Sequence, residues 1–213
     1  RIVSDVQLSC GYMHSGYPIG SHLDFAESHA LDVATLSSKG SWGMFHELGH
    51  NMQRPEWTWT DGVEVTCNLF TLYTMEHVCK QSIGAHTWFF GQCPSLEEYQ
   101  QKHAAPYLRR PNFKASLAKD YALALYFFVE LIHEFGWGAV KSWLGSYNIP
   151  SGQPIQHGWN DQRKFDEFAV RFSKACGQNC GGKMLRWGFP VSEGAVNVLA
   201  GDSSLRVVAF CSF

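Results

Sequence analysis

The segment Gly43-Met-Phe-His-Glu-Leu-Gly-His-Asn51 contains two histidines four positions apart, with a glutamate directly after the first. Ser41 is a suitable N-cap before this segment, and Pro55 ends the apolar periodicity that follows it. The pattern therefore predicts an α-helix that carries His46 and His50 on one face, one turn apart. Two imidazoles at this spacing can bind a single metal ion.

Glu64 is the candidate third ligand, because a catalytic zinc site usually has three protein ligands and one open position for water. An extended H-E-x-x-H-x-x-G-x-x-H pattern is absent, since positions 53 and 56 are Gln53 and Glu56. A turn between two helices would let Glu64 face the histidines. Asp61, three residues earlier, also permits a capping box in which Glu64 only begins the next helix, and the pattern leaves both roles open.

Two further polar residues have positions that fit such a site. Glu47 follows His46 directly, so it stands beside the metal and can accept a proton from water that the metal activates. Asn68 lies one helical turn after Glu64, where it either supports a ligand through a hydrogen bond or is an ordinary surface residue. The residues thus predict a Zn²⁺ hydrolase with His46, His50 and Glu64 as metal ligands and Glu47 as general base.

The same segments resemble a known family. Gly43–Asn51, Trp57 and Glu64-Val-Thr-Cys-Asn-Leu69 resemble the enhancin-like zinc metallopeptidases of peptidase family M-60. These are gluzincins, in which H-E-x-x-H is followed by a more distant glutamate ligand. The segment from Ser4 to Ile19 and the sequence Trp187-Gly-Phe-Pro agree with that family too. Within it, the resemblance extends to the peptidase domain of the TRP-channel-associated factor proteins.

The resemblance spans roughly residues 1 to 200 and implies a thermolysin-like zincin fold with a truncated N-terminal β lobe. It implies a zinc-dependent endopeptidase that acts on proteins or glycoproteins, because some family members cleave mucin-type glycoproteins near O-glycans. The segment from Val6 to Tyr17 would be the edge strand that pairs with the substrate backbone. The channel-associated relatives leave a second interpretation open, a catalytically weak or inactive scaffold that binds a partner such as a membrane channel.

Apolar periodicity predicts a β-bearing N-terminal edge followed by a mostly helical body, the α+β class with helix dominating. Residues 2–10 alternate like a half-buried strand, and residues 11–21 indicate irregular strand or loop. We expect one domain, with the strand and loops in residues 1–40 and the helices in residues 41–213. Helices are predicted from Trp42 to before Pro55, from about Asp61 to Val78, from Leu117 to Phe135, from Trp137 to Tyr147, and from Phe165 to Ala175.

Composition argues against two classes of partner. The 17 basic and 19 acidic side chains give a formal net charge of −2, with no basic run, so nucleic acid is not an expected partner. Apolar stretches fall short of the ~18 residues that a bilayer span needs, so no transmembrane segment is expected. Low charge and many aromatic residues favour a secreted location, although no N-x-S/T sequon supports it.

Two groups of residues have roles that the sequence leaves open. The odd count of seven cysteines leaves at least one thiol unpaired, and Cys176 and Cys180 flank a loop where a small disulfide and two free thiols are equally acceptable. Trp57, Trp59 and Phe70, near the histidine motif, either line a wall that contacts sugars or apolar side chains or belong to the core.

Overall fold

The structure is a computed structural model that describes residues 1–8, 11–25, 32–86, 88–148 and 158–206. These residues form many helices and one small sheet near the N-terminus, which confirms the expected helix-dominated class. The strands are β1 (Ile2–Asp5), β2 (Met13–His14) and β3 (Ile19–His22). The α-helices are α1 (Leu23–Phe25), α2 (Val33–Ser38), α3 (Trp42–Met52), α4 (Val63–His77), α5 (Leu96–Tyr99), α6 (Ala105–Leu108), α7 (Tyr121–Gly145), α8 (Asp161–Cys176), α9 (Gly181–Arg186) and α10 (Glu193–Gly201).

The chain divides into two compact units. The first unit consists of Arg1–Gln53 and Val63–Tyr99 and contains the sheet and helices α1 to α5. The second unit consists of Arg54–Gly62 and Gln100–Phe213 and contains helices α6 to α10. The assignment of residues 1–213 to a single domain, with a boundary near residue 40, stays a prediction.

The N-terminal strand is shorter than the alternation of residues 2–10 predicted. β1 ends at Asp5, whose carboxylate accepts a hydrogen bond from the backbone N–H of Gln7 at 3.1 Å. This local turn competes with continued strand pairing and ends the strand. Val6 is exposed, so the prediction of a strand is wrong for residues 6–8. Residues 9 and 10 lie outside the described part of the chain.

The sheet has the order β1-β3-β2, with β1 parallel and β2 antiparallel to β3. β2 therefore forms one edge, and within the described part of the predicted edge strand from Val6 to Tyr17 only Met13 and His14 are in a strand. Gly11 and Gly16 flank β2 with φ values of 62° and 123°. Such positive φ values suit glycine and end the extended conformation on both sides of β2.

Helix α3 confirms the helix predicted for the histidine motif and starts at Trp42 as predicted, and it differs from the prediction in its capping and at its end. Ser41 occupies the N-cap position, but its side chain makes no capping hydrogen bond. The helix ends before Gln53, ahead of the predicted stop at Pro55. The next predicted helix, from Asp61, begins as a short 3₁₀ turn over Thr60–Gly62 and continues as α4.

Helix α7 is the longest helix of the second unit. Asp120 caps it by accepting a hydrogen bond from the N–H of Leu123 at 2.9 Å, and Gly136 interrupts it with φ 75° and ψ 167°. The interruption confirms the predicted separation of two helices at Gly136. The predicted start at Leu117 is wrong, because Phe113–Leu117 form a separate π-helical turn before the cap.

Among the described helices, α7 alone is long and apolar enough to cross a membrane, with a mean hydropathy of 1.3 over its most apolar part. In the structure 61% of that part is buried. Phe127 and Phe128 of α7 place their rings 6.1 and 5.6 Å from that of Phe168 on α8. The apolar character of α7 is therefore used to build the core of the second unit.

Trp57 and Trp59 belong to this second unit and are both buried. The Trp59 ring lies 5.6 Å from Phe165 and 6.2 Å from Phe128, and the Trp57 ring lies 5.4 Å from Tyr147. These contacts support the core role for both tryptophans and remove the alternative that they line a wall against substrate.

Phe168→Ala tests this aromatic core. Phe168 is 3% exposed and its ring centroid lies 4.5 Å from that of Trp143. The substitution should lower the free energy of unfolding by about 3–5 kcal/mol, because it leaves a cavity among buried rings. The control Val198→Ala, at a side chain that is 56% exposed, should change it by less than about 0.5 kcal/mol. Urea unfolding followed by tryptophan fluorescence measures both, and equal effects would contradict the described packing.

Candidate metal centre

The three predicted metal ligands meet within the first unit. His46 and His50 lie on the same face of α3, with their Nε2 atoms 3.0 Å apart. Oε2 of Glu64, near the start of α4, lies 3.1 Å from Nε2 of His46 and 3.5 Å from Nε2 of His50. The carboxylate thus faces the imidazoles, which favours the ligand role of Glu64 over the capping role.

The spacing of these atoms fits one tetrahedral ion. Ligand atoms bound to Zn²⁺ at about 2.0–2.1 Å lie about 3.3 Å from one another in tetrahedral geometry. The observed separations of 3.0, 3.1 and 3.5 Å bracket that value. Two imidazole nitrogens and one carboxylate oxygen form a donor set that catalytic zinc sites use, with a fourth position left for water. The residues present therefore fit a zinc ion.

Two amide side chains determine which nitrogen of each imidazole faces the cluster. Oδ1 of Asn68 lies 2.9 Å from Nδ1 of His46, and Oε1 of Gln53 lies 2.9 Å from Nδ1 of His50. An amide oxygen only accepts hydrogen bonds, so each Nδ1 carries the proton. Each Nε2 then keeps its lone pair for the metal.

The orientation of both amides is determined in turn by the backbone of α4. Nδ2 of Asn68 donates to the carbonyl oxygen of Glu64 at 2.8 Å. Nε2 of Gln53 donates to the carbonyl oxygen of Val63 at 2.7 Å and to Oγ1 of Thr66 at 2.6 Å. A carbonyl oxygen cannot donate, so a flipped amide would lose these bonds. The start of α4 therefore orients both imidazoles as well as supplying the carboxylate.

The sequence predicted a supporting role for Asn68 but not for Gln53. Asn68 is 1% exposed and supports His46, which is the first of its two predicted roles. The sequence pattern marks position 53 only as one where Gln53 replaces a further histidine ligand. The signal that would have identified it is its position three residues after His50, which brings the amide to the same side of the chain as that imidazole.

Cys67 is a fourth group at the cluster that sequence analysis did not identify. Its Sγ lies 3.5 Å from Nδ1 of His46, and the ligand atoms of these two residues, His50 and Glu64 all lie within 4.8 Å of one another. Burial and the negative charge of Glu64 raise the pKa of the Cys67 thiol, which favours its neutral form. A neutral thiol is a weaker metal ligand than the imidazoles and the carboxylate. The sequence feature that could have identified Cys67 is its position three residues after Glu64, which is about one helical turn.

Glu47, the predicted general base, is half-buried on α3 directly after the first imidazole. Its negative charge also raises the pKa of Cys67, although less than burial and Glu64 do. The charge of Glu47 therefore influences Cys67, a member of the cluster.

Helices α3 and α4 approach each other closely at Gly49. A Cβ atom at this position would lie 2.2 Å from the carbonyl oxygen of Cys67, a backbone atom that cannot move alone. Only glycine permits this approach, which explains the residue between Leu48 and His50 in the motif. The approach brings Glu64 within reach of the histidines.

The sheet edge contacts α3 near both of its ends, at Gly43 and at Asn51. The Asn51 side chain accepts a hydrogen bond from the N–H of Gly16 at 2.9 Å and donates one to the Gly16 carbonyl at 3.0 Å. Met13 of β2 packs over Gly43. Nδ1 of His14 lies 3.0 Å from the carbonyl oxygen of Ser15, so this histidine has a local partner. Edge strand β2 therefore lies beside the helix that carries the candidate metal ligands.

Comparisons with known proteins agree with this arrangement. The family model described as "Peptidase M60, enhancin and enhancin-like" matches residues 1–182. TRPM8 channel-associated factor 2 of Bos taurus is 34% identical over 210 residues, which cover 94% of this chain and 21% of that protein. The TRPM8 channel-associated factor homolog of Xenopus laevis is 34% identical over 195 residues, covering 91% and 20%. The chain spans about a fifth of the length of these relatives.

A solved structure also shares the fold. A functionally unknown conserved protein from Bacillus anthracis str. Ames superposes with a TM-score of 0.76 and 21% sequence identity. The superposition covers 97% of this chain and 39% of that protein. At this identity the agreement concerns the fold alone.

Gly49→Ala tests the close approach of the two helices. The added methyl group should overpack the contact with the Cys67 carbonyl and lower the free energy of unfolding by about 1–3 kcal/mol. Gly138→Ala is the matched control, because it adds the same group to a helix position with no atom within 4 Å. The control should be neutral or stabilising by up to about 1 kcal/mol. Thermal and urea unfolding of both variants measure the difference, and equal stabilities would contradict the close approach.

Proposed function

Because the chain belongs to the peptidase M60, enhancin and enhancin-like family, we propose that it is a zinc-dependent endopeptidase. The observation that carries this proposal is the convergence of His46, His50 and Glu64, whose ligand atoms lie 3.0–3.5 Å apart. Glu47 beside this cluster adds a carboxylate that metal binding alone does not require. A purely structural metal site has no need of that residue, so its presence favours catalysis.

Zn²⁺ is the proposed cofactor, held by Nε2 of His46, Nε2 of His50 and Oε2 of Glu64. When bound, the ion polarises the scissile carbonyl and lowers the pKa of water. Gln53 and Asn68 hold the imidazoles with their Nε2 lone pairs directed at the cluster. This pre-orientation reduces the entropy that the ligands would otherwise lose on binding.

Glu47 is the proposed general base. Its carboxylate accepts a proton from the attacking water and transfers that proton to the leaving amine. Because Glu47 and His46 are consecutive residues of one helix, the carboxylate keeps a constant position relative to the first imidazole. The reaction is therefore peptide hydrolysis, in which the C–N bond breaks as the water oxygen bonds to the carbonyl carbon.

The proposed substrate is an extended polypeptide. β2 is an edge strand beside α3, and the unpaired backbone groups of an edge can pair with an extended peptide. The thermolysin-like arrangement, a preference for mucin-type glycoproteins and a secreted location are finer parts of the same proposal. The resemblance of the motif segments to the M-60 peptidases supports the fold and the substrate preference, and the low charge with many aromatic residues supports the secreted location.

A second candidate function is a peptidase-like module that binds another protein. Its support is the name of the relatives at 34% identity, which are TRPM8 channel-associated factors. A membrane channel is the partner class that this name suggests for the present chain. The intact set of Glu47, His46, His50 and Glu64 favours the enzyme.

Substitutions of Glu47 and His46 separate metal binding from catalysis. Glu47→Gln should retain stoichiometric zinc and lower kcat by about 10²–10⁴-fold, because it removes the base without removing a ligand. His46→Ala should lose the zinc. Glu193→Gln, at an exposed position of α10, is the control and should leave both properties unchanged. Elemental analysis and cleavage of fluorogenic peptides give the two readouts, and wild-type turnover by Glu47→Gln would exclude it as the base.

A panel of O-glycosylated and bare peptides distinguishes the two functions. The peptidase proposal expects a defined cleavage product, identified by mass spectrometry and abolished by a chelator. If zinc is bound in stoichiometric amount and no peptide of either kind is cleaved, the binding module becomes the better supported function.

Gln53→Ala tests the support of the second imidazole. The variant should bind zinc about 10–100-fold more weakly, because His50 loses the acceptor that holds its Nδ1 proton. Gln101→Ala, at an exposed position, is the matched control and should keep the wild-type zinc Kd. Competition with a chromophoric chelator measures the Kd of each protein. Equal values for the two variants would show that the Gln53 hydrogen bond does not support the site.

A further inference from the structure

Cys176 and Cys180 form a pair of thiols in the second unit. Their Sγ atoms lie 3.4 Å apart, and both cysteines are free. A disulfide has an S–S distance of about 2.05 Å, so the sulfurs need to approach by only about 1.4 Å. No other two described cysteines have their sulfur atoms in contact. Of the two alternatives that the sequence left open, the structure therefore shows free thiols, with their sulfurs in contact.

The backbone around the pair is held in place. Gly177 adopts φ 71° at the end of α8, which reverses the chain between the two cysteines. The N–H of Cys180 donates to Oγ of buried Ser173 at 2.9 Å. The N–H of Asn179 donates to the carbonyl of Arg206 at 3.0 Å, and the N–H of Arg206 donates to the carbonyl of Gly177 at 3.1 Å. The loop thus keeps the sulfurs in contact while both are reduced.

The two thiols differ in exposure and in acidity. Cys180 is 3% exposed, whereas Cys176 is only partly buried. The hydrogen bond from the Cys180 thiol lowers the pKa of Cys176, and the same contact together with burial raises the pKa of Cys180. The charge of Glu134 raises the pKa of both cysteines, and Lys183 opposes this at Cys180. Cys176 is therefore suited to attack an external reagent and Cys180 to act second.

We propose that Cys176 and Cys180 are a reversible dithiol–disulfide site that reacts with small disulfides of the glutathione type. The Cys176 thiolate attacks the S–S bond of oxidised glutathione, forms a mixed disulfide and releases one glutathione thiolate. Cys180 then loses its proton and attacks Sγ of Cys176, which releases the second glutathione. The protein loses two electrons and two protons, and one oxidised glutathione becomes two reduced molecules.

Peptide mapping of the full chain tests this site directly. Trypsin cleaves after Lys174 and Lys183, so both cysteines fall within the single peptide Ala175–Lys183. After treatment with oxidised glutathione and then iodoacetamide, this peptide should be unalkylated and lack two hydrogens. Dithiothreitol before alkylation should restore the doubly alkylated peptide. The proposal is overturned if most of the peptide stays doubly alkylated, or if either cysteine bonds to a cysteine elsewhere.

Single substitutions test the order of attack. Cys180→Ser should accumulate glutathione on Cys176, because the resolving thiol is missing. Cys176→Ser should carry about tenfold less glutathione on the buried Cys180. Cys93→Ser, at another buried cysteine, is the control and should form the disulfide as the wild type does. Equal adduct levels in the first two variants would overturn the assignment of the attacking thiol, and the wild-type mapping decides the site independently of how the variants fold.

Discussion

The contact between Gly49 of α3 and the Cys67 carbonyl of α4 is the constraint on which the candidate metal centre depends. At this separation no side chain fits between the two backbones. The approach brings the Glu64 carboxylate within 3.5 Å of the imidazole nitrogens of His46 and His50. A wider spacing of the helices would separate the carboxylate from the imidazoles. It would also break the hydrogen bonds by which the Asn68 and Gln53 amides orient the imidazoles.

The hydrogen bonds around the cluster serve stability and function together. Asn68 is almost fully buried, and an unpaired buried amide would cost about 1–3 kcal/mol. Its oxygen pairs with His46 and its nitrogen pairs with the Glu64 backbone, so the amide is satisfied. The Gln53 amide is satisfied in the same way, because its oxygen pairs with His50 and its nitrogen donates to the Val63 carbonyl at the start of α4. These hydrogen bonds lie within the protein, so the fold itself holds the two imidazoles in their observed orientation.

Local patterns explain which parts of the fold the sequence predicted. The helix around the histidine motif and the break at Gly136 depend on residues within a turn or two of one another, so periodicity and backbone preference identify them. The strand predicted over residues 2–10 is shorter because Asp5 bonds to the backbone of Gln7 and ends the pairing. Alternation alone does not show where a strand loses its partner.

The sequence by itself determined the family, the helix, and the pair His46 and His50 with Glu47, because a spacing of four residues implies one helical face. Only the tertiary structure brought the Glu64 carboxylate to the imidazoles and paired Gln53 with His50. Both depend on how α4 packs against α3, and such packing joins residues that are distant in sequence. The sequence likewise left a disulfide and two free thiols open at Cys176 and Cys180, and the folded loop places them as free thiols with their sulfurs 3.4 Å apart.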